Sequence, residues 1–168
     1  TTLQPEVTEF RNRLDELNTF MMRNGLPSPM RRRLRDYFHQ TQHLRVASKQ
    51  RELISMMSYS LQSEVAWTCH RKWLLHVGFL RGAPLPFLVQ LALRLGALVF
   101  APSEIVPPGM LFIVHRGVAV RGVQLLGSGR IWGEDFILAS VHLRLKTPVR
   151  ALNFLEVFTI SRRELENA

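Results

Sequence analysis

A short stretch in the second half of the chain, Ile131 to Leu138, carries residues that could bind a ligand. An apolar run ends at Trp132 and is followed by Gly133, Glu134 and Asp135. Glycine tolerates a positive φ and lets a ligand approach the backbone. The residues after it can form one helical turn whose free N–H groups attract an anion, and Glu134 can accept a hydrogen bond from a hydroxyl. These features suit a sugar-phosphate pocket, and an ordinary structural turn is the alternative.

Other reactive residue types form no recognisable site. Cys69, His70 and His76 lie close together in sequence, but their spacing lacks the second ligand pair of a zinc site, so we expect no metal. No nucleophile elbow or other catalytic signature occurs, so we expect a non-enzyme. Cys69 is the only cysteine, which excludes a disulfide within the chain and favours a reducing compartment.

The composition of the 168 residues fits one globular domain with a smaller appendage. A hydrophobic fraction of 46% is enough for a packed core. The formal charge of +9 predicts an acidic partner, such as nucleic acid, an anionic membrane, an acidic protein surface or a phosphate; a solvated basic face is the alternative. No apolar run is long enough to span a bilayer, and no signal peptide is evident. We expect the chain to be part of a longer protein.

The first half has helical periodicity. An apolar stripe from Val7 to Met21 predicts a helix that ends at Asn24-Gly25, and Ser28-Pro29 predicts the N-cap and first turn of a second. Two more helices are predicted over residues 48–57, with Leu53, Ile54 and Met57 inward, and 60–73. The second helix crowds four arginines, at positions 31, 32, 33 and 35, into its first turns, where cations oppose the helix dipole. An acidic surface on a partner would explain them, and a solvated face is the alternative.

The second half changes to short strands and turns after one more helix, which ends at Gly96. Arg121-Gly122 predicts a hairpin, and Ser161 to Glu164 forms a capping box that begins a closing helix. We expect Phe112, Ile131, Trp132 and Phe158 in the core. The predicted fold class is α+β, with an all-helical segment followed by an antiparallel, jelly-roll-like β-roll with flanking helices.

Several motifs in this order resemble the C-linker and cyclic-nucleotide-binding region of voltage-gated cation channels. Trp132-Gly133-Glu134 resembles the "FGE" that opens the phosphate-binding cassette, and Ala101 to Ile105 resembles the "PGE" turn. Residues 8–13, 26–31 and 35–38 resemble the first two C-linker helices, and residues 149–152 and 160–162 look most like the ether-à-go-go branch. The resemblance implies a C-linker over residues 1–77 and a binding (homology) domain over 78–168 that lacks the end of its C-terminal helical part.

The resemblance also implies a ligand site, and the chain departs from the family pattern there: the segment from Pro107 to Met110 is shorter and lacks the usual "G-D", and Trp132 replaces the common phenylalanine. The candidate ligand residues are Gly133, Glu134, Asp135, Arg144, Lys146 and Arg150. In cassettes that bind nucleotide an arginine pairs with the cyclic phosphate, and that position falls on Leu145. Bound cofactors are therefore expected to be none, with cAMP or cGMP as the possible ligands.

Three functions are compatible with these observations. The first is a cytoplasmic regulatory and gating module of a tetrameric voltage-gated potassium-type channel, with weak or no nucleotide binding. Its partners would be the other subunits of the homotetramer and the transmembrane domain, on the cytoplasmic side of a membrane. The second is a genuine cAMP or cGMP sensor in which Arg144 or Lys146 replaces the missing arginine and Glu134 binds the ribose. The third is a transcription factor, which would carry its helix-turn-helix after the roll rather than before it, so we expect no nucleic-acid partner.

Overall fold

The computed structural model describes residues 5–168, with the backbone alone at positions 43, 45–47 and 50. The helices are α1 (Pro5–Arg23), α2 (Ser28–Gln40), α3 (Gln42–Ser55), α4 (Tyr59–Leu74), α5 (Leu85–Arg94) and α6 (Arg162–Glu166). The strands are β1 (Gly96–Phe100), β2 (Ile105–Val106), β3 (Met110–Arg116), β4 (Ala119–Arg121), β5 (Gln124–Leu126), β6 (Ile131–Trp132), β7 (Val149–Ala151) and β8 (Leu155–Ser161). Short 3₁₀ helices occupy Gly78–Leu80, Glu134–Ile137 and Val141–Leu143. The predicted α+β class is confirmed.

The described residues divide into two compact units, one up to Lys49 and one from Gln50 onward. Helix α4 therefore belongs to the same compact unit as the strands. The boundary predicted near residue 78 concerns homology with a C-linker, and it stays a prediction. No helix in residues 5–168 combines the length and the hydropathy that a membrane crossing requires.

The first unit, residues 5–49, is a layer of helices with few buried side chains. Among its described side chains, Leu17 and Met21 on the apolar stripe of α1 are buried. Glu9 forms ion pairs with Arg13 at 2.8 Å and with Lys49 at 2.5 Å. As predicted, α1 ends just before Gly25, whose φ of 60° provides a left-handed cap.

Two details of the helical segment were predicted wrongly. Ser28 is not an N-cap, because α2 already begins there and Pro27 occupies the cap position without a side-chain hydrogen bond. Helix α3 begins at Gln42 rather than at Ser48. The residues just before Ser48, which we predicted to be a polar connection between helices, are therefore helical. Leu53 and Met57 are exposed, and only Ile54 of the three predicted inward residues is half-buried.

The strands form two antiparallel sheets of four, the β-roll. One sheet has the order β1-β8-β3-β6 and the other β2-β7-β4-β5. The predicted hairpin is β4 and β5, and the predicted capping box of Ser161 and Glu164 begins α6. The sequence reading missed β2, whose two residues pair with Val149 and Arg150 of β7. Such a short strand depends on a distant partner and leaves no periodic signal.

The central strands β3 and β8 separate two hydrophobic cores. Along β3, Leu111 and Ile113 face a core shared with helices α4 and α5, whereas Phe112 and Val114 face a core inside the roll. Along β8, Ile160 belongs to the first core and Val157 to the second. Each side of this two-strand wall is therefore apolar, as expected for a sheet covered on both faces.

The predicted core of the roll is confirmed in part. Phe112 and Trp132 are 1% and 5% exposed, so both are core residues. Ile131 and Phe158 are half-buried, because they lie at the margin of the core between the sheet and the helices. Phe158 contacts the rings of His70, Trp73 and His115 there.

Candidate functional site

A cavity of about 420 Å³ is lined by residues of both sheets and of the segment 133–148, which we call the cassette segment. Its lining is mainly apolar: Ile105, Val106, Pro107, Pro108, Met110, Phe112, Trp132, Phe136, Val141, Leu145 and Pro148. Four charged side chains also line it: Arg121, Asp135, Arg144 and Lys146. The volume suits a small organic ligand.

The aromatic floor of the cavity is built by paired strands. Phe112 of β3 is opposite Trp132 of β6, and their rings stack with centroids 4.9 Å apart and planes 14° from parallel. Stacked aromatic pairs contribute about 0.5–1.5 kcal/mol beyond the area they bury. The two rings are almost completely buried, at 1% and 5% exposure, so the floor of the cavity is also part of the core inside the roll.

Gly133 turns the chain from the floor into the cassette segment. Its φ of 83° is left-handed, and a Cβ at this position would overlap the carbonyl oxygen of Met110. Only glycine satisfies both conditions without strain. Trp132 before it packs in the core inside the roll, and Phe136 after it packs in the core shared with the helices. The glycine therefore lets the chain pass from one core to the other within a few residues.

The polar groups of the cassette segment are bonded to one another. Asp135 Oδ2 accepts a hydrogen bond from the backbone N–H of Leu145 at 2.5 Å. The guanidinium of Arg144 donates to the carbonyl oxygen of Leu138 from Nε at 3.2 Å and from Nη2 at 2.8 Å. These bonds tie the two ends of the segment together across its 3₁₀ turns.

Four of the six predicted ligand residues come together in this cavity: Gly133, Asp135, Arg144 and Lys146 line it. Glu134 is exposed and does not line the cavity. Arg150 is also exposed, and its Nη1 lies 3.4 Å from the carbonyl oxygen of Ser103, on the β2 side of the sheet. A ligand role for any of these six residues stays a prediction.

The sequence reading missed Arg121 as a residue of the cavity. Arg121 had been read only as part of a hairpin turn. It lies at the end of β4 opposite Val149, and its Nη2 donates to Gln124 Oε1 at 3.0 Å. Only the pairing of β4 with β7 places it beside the cassette segment, and a pairing between distant strands has no local signal.

The residues considered for a metal lie elsewhere, on and after α4. Cys69 is exposed, and His70 packs edge-on against Phe158 with ring centroids 5.5 Å apart. His76 Nδ1 lies 2.6 Å from the carbonyl oxygen of Lys72, where it can donate a hydrogen bond. Within the described part of the chain no three histidine, cysteine or carboxylate side chains are grouped for a metal ion.

His70 has an unusual electrostatic environment. Burial lowers the pKa of His70 below its ordinary 6.5, and the nearby charges of Arg51 and His115 lower it further. Its Nδ1 is buried and has no hydrogen-bond partner among the described residues. His115, in turn, has its Nδ1 3.3 Å from Glu156 Oε2, a buried carboxylate. The surroundings of His70 on the α4 side of the roll therefore favour the neutral form of the ring.

Comparison with known proteins finds similarity to cation channels. It is 26% identical to "Potassium channel KOR2" of Oryza sativa subsp. japonica over 71% of its own length and 16% of that protein. It is 24% identical to "Cyclic nucleotide-gated channel rod photoreceptor subunit alpha" of Gallus gallus, over 95% of its own length and 27% of that protein. "Cyclic nucleotide-gated channel alpha-2" of Bos taurus matches at 25% identity over the same share of the chain and 26% of its own length. No protein-family model matches the chain.

These relatives confirm the resemblance to the cyclic-nucleotide-binding region of cation channels. The two-sheet roll with helices before and after it agrees with that identification. The relatives named here are channels rather than enzymes. The chain spans between 16% and 27% of their length. Their names do not identify the ether-à-go-go branch, which stays a prediction.

Proposed function

We propose that the chain is a cytoplasmic regulatory and gating module of a tetrameric voltage-gated potassium-type channel, and that it binds cyclic nucleotides weakly or not at all. The supporting comparison is the similarity to potassium and cyclic-nucleotide-gated channels over 71–95% of the chain. The module acts by binding and conformational coupling, without catalysis. It lies on the cytoplasmic side of the membrane, attached to the transmembrane domain.

The observation that carries the proposal on ligand binding is the polar chemistry of the cavity. A cyclic phosphate needs a charge-assisted partner, and a bidentate arginine is the usual one. Leu145 occupies the position that the family resemblance gives to this arginine, and the neighbouring Arg144 already donates two hydrogen bonds to Leu138. A lost hydrogen bond to a charged group typically costs about 1.5–3 kcal/mol, or roughly 10- to 150-fold in affinity.

The partner subunits of the proposed tetramer would contact the helical unit. Phe20 and Met22 of α1 are 55% and 73% exposed, which leaves apolar surface for a partner. The arginines at the start of α2 add positive charge, and the buried Nε of Arg31 has no hydrogen-bond partner within the described residues. Acidic and apolar groups on a neighbouring subunit would complement both features.

Calorimetric titration of the chain with cAMP and cGMP at about physiological salt tests the proposed ligand behaviour. The expected result is no binding in the low-micromolar range, because loose electrostatic attraction is screened at this ionic strength. A longer protein that continues beyond α6 is titrated beside it, since the resemblance predicts further helical residues there. The Glu134→Ala variant serves as a control for binding through the ribose.

The alternative is a genuine cAMP- or cGMP-sensing domain of a cyclic-nucleotide-regulated channel. Three cations line the cavity, Arg121, Arg144 and Lys146, and two of the relatives are named cyclic nucleotide-gated channels. Under this alternative, low-micromolar binding is lost in Glu134→Ala, since that carboxylate would turn toward the ribose. Such a result would replace the proposal of weak binding by the sensor function.

A further inference from the structure

The cavity holds positive groups that would attract an anion. Arg144 and Lys146 line the cavity on either side of Leu145, so two cationic side chains flank one backbone N–H. The ammonium group of Lys146 makes no hydrogen bond or ion pair with the residues that the structure describes. Backbone and side-chain donors close together make an anion site when they are free.

The backbone donor in this group is not free, because Asp135 occupies it. The carboxylate of Asp135 lines the same cavity and accepts the Leu145 N–H at 2.5 Å. Asp135 lies between two conformationally restricted neighbours: Gly133 has a left-handed φ of 83°, and Phe136 is buried at 2% exposure. The turn at Gly133 and the packing of Phe136 therefore restrict where the Asp135 carboxylate can lie.

We propose that Asp135 is a built-in anion that excludes phosphate-bearing ligands from this cavity. Its carboxylate takes the backbone donor that a phosphate oxygen would need, and its charge repels a second anion at short range. Asp135 is thus a specificity-determining residue rather than a ligand-binding one. The inference rests on the proposed function, in which cyclic nucleotides bind weakly, and it adds a cause that is independent of the missing arginine.

Replacement of Asp135 by Asn tests the role of the charge, because Asn keeps the shape and a hydrogen-bond acceptor for Leu145. Asp135→Ala removes the acceptor as well. Glu64→Gln is the matched control, since Glu64 is exposed on α4 away from the cavity and its replacement changes the net charge equally. The four proteins are titrated calorimetrically with cAMP, cGMP and inorganic phosphate at one salt concentration.

The expected result is a gain of at least about tenfold in cAMP or cGMP affinity for both Asp135 variants, with none for Glu64→Gln. Addition of Lys146→Gln to Asp135→Asn should reverse most of this gain, because the anion would lie beside that ammonium group. A gain with inorganic phosphate alone would show that the cavity recognises phosphate without the nucleoside, which also supports the inference.

The outcomes separate this inference from the proposed function. If neither the parent chain nor the folded Asp135→Asn variant binds, the inference fails and the proposed weak binding stands. If the parent chain binds at low-micromolar concentration and Asp135→Asn is no tighter, both fail. If the parent binds and Asp135→Asn binds tighter, only the proposed weak binding fails.

A structural link without a role in specificity predicts a different pattern. Asp135→Ala would then lower the melting temperature and speed amide hydrogen exchange at Leu145, with no gain in affinity for any anion. Thermal melts and exchange at Leu145 are therefore recorded for every variant. Faster exchange at Leu145 together with tighter anion binding supports the inference, and faster exchange alone overturns it.

Discussion

The helical unit and the roll unit differ in how much of their apolar surface they bury by themselves. In the helical unit, residues 5–49, the buried described side chains are Leu17 and Met21. The roll unit, from residue 50 onward, contains two cores that share the strands β3 and β8. The roll unit therefore packs most of the buried apolar side chains of the described residues, whereas the helical unit buries two and leaves others, such as Phe20 and Met22, exposed.

Exposed apolar residues also occur in the roll unit, but they have a different distribution. Many of them belong to the cassette segment beside the cavity: Ile137, Leu138, Val141, Leu143 and Leu145. In the helical unit the exposed residues include Phe20 and Met22 of α1 and Met30 of α2. Among these cassette residues Val141 and Leu145 line the cavity, whereas Ile137, Leu138 and Leu143 do not.

The largest expected effect comes from paired truncations in the two units. Trp132→Ala should cost roughly 3–5 kcal/mol of unfolding free energy, because the ring is 5% exposed and its loss leaves a cavity beside Phe112. Phe20→Ala, which removes a ring that is 55% exposed, should change stability by about 0.5 kcal/mol or less. Urea unfolding followed by circular dichroism measures both. Similar losses in the two variants would contradict the contrast between the units.

A smaller effect is expected from two glycines with left-handed backbone, one in each unit. Gly25→Ala in the helical unit should cost about 1–2 kcal/mol through backbone strain alone, since open space surrounds its Cβ position. Gly133→Ala should cost at least about 1 kcal/mol more, because its Cβ also overlaps the Met110 carbonyl oxygen. The same urea titration compares them. Equal losses of unfolding free energy would show that the backbone around Gly133 relaxes to accommodate the added Cβ.

The smallest expected effect is a difference in acid sensitivity between the units. The folded-state pKa of His70 lies below its ordinary 6.5, so the unfolded chain takes up the proton first and the roll unit loses stability as pH falls below about 6.5. The pKa of Glu9 is lowered by the hydrogen bond and charge of Lys49 and further by Arg13, so its contribution to the helical unit is lost only below its ordinary 4.5.

Thermal melts between pH 7 and pH 4 test this order. His70→Gln should flatten the dependence below about pH 6.5, while Lys49→Met should leave the interval between about pH 6.5 and 4.5 unchanged. The Glu9 side chain is 41% exposed, so salt should weaken its effect further. An unchanged profile in His70→Gln would contradict the assignment of this acid response to His70.

Local patterns in the sequence predicted the regular elements well. The stripe of α1, the left-handed cap at Gly25 and the capping box at Ser161 depend on neighbours a few residues away, and all three are present. The hairpin at Arg121-Gly122 and the turn at Gly133 were also predicted, because glycine marks the backbone conformations that they need.

Features that depend on distant pairing could not be read in this way. The sequence placed Arg144 and Lys146 near a ligand, but the bond from Leu145 to Asp135 spans ten residues of irregular chain and follows from no motif. The half-buried state of Phe158 reflects α4, which contributes His70 and Trp73 to its surroundings. Helix α3 includes residues 42–47, which have no hydrophobic stripe. Their helical propensity is compatible with a helix, but propensity alone is a weak signal.

The strand β3 brings the cavity and the helix-facing core within one residue of each other. Phe112 forms part of the cavity floor, while Leu111 and Ile113, its neighbours on the same strand, pack under helices α4 and α5. Successive residues of a strand are only about 3.3 Å apart along the chain, and their side chains point to opposite faces. One strand backbone therefore connects the residues that line the cavity with those that pack under helices α4 and α5.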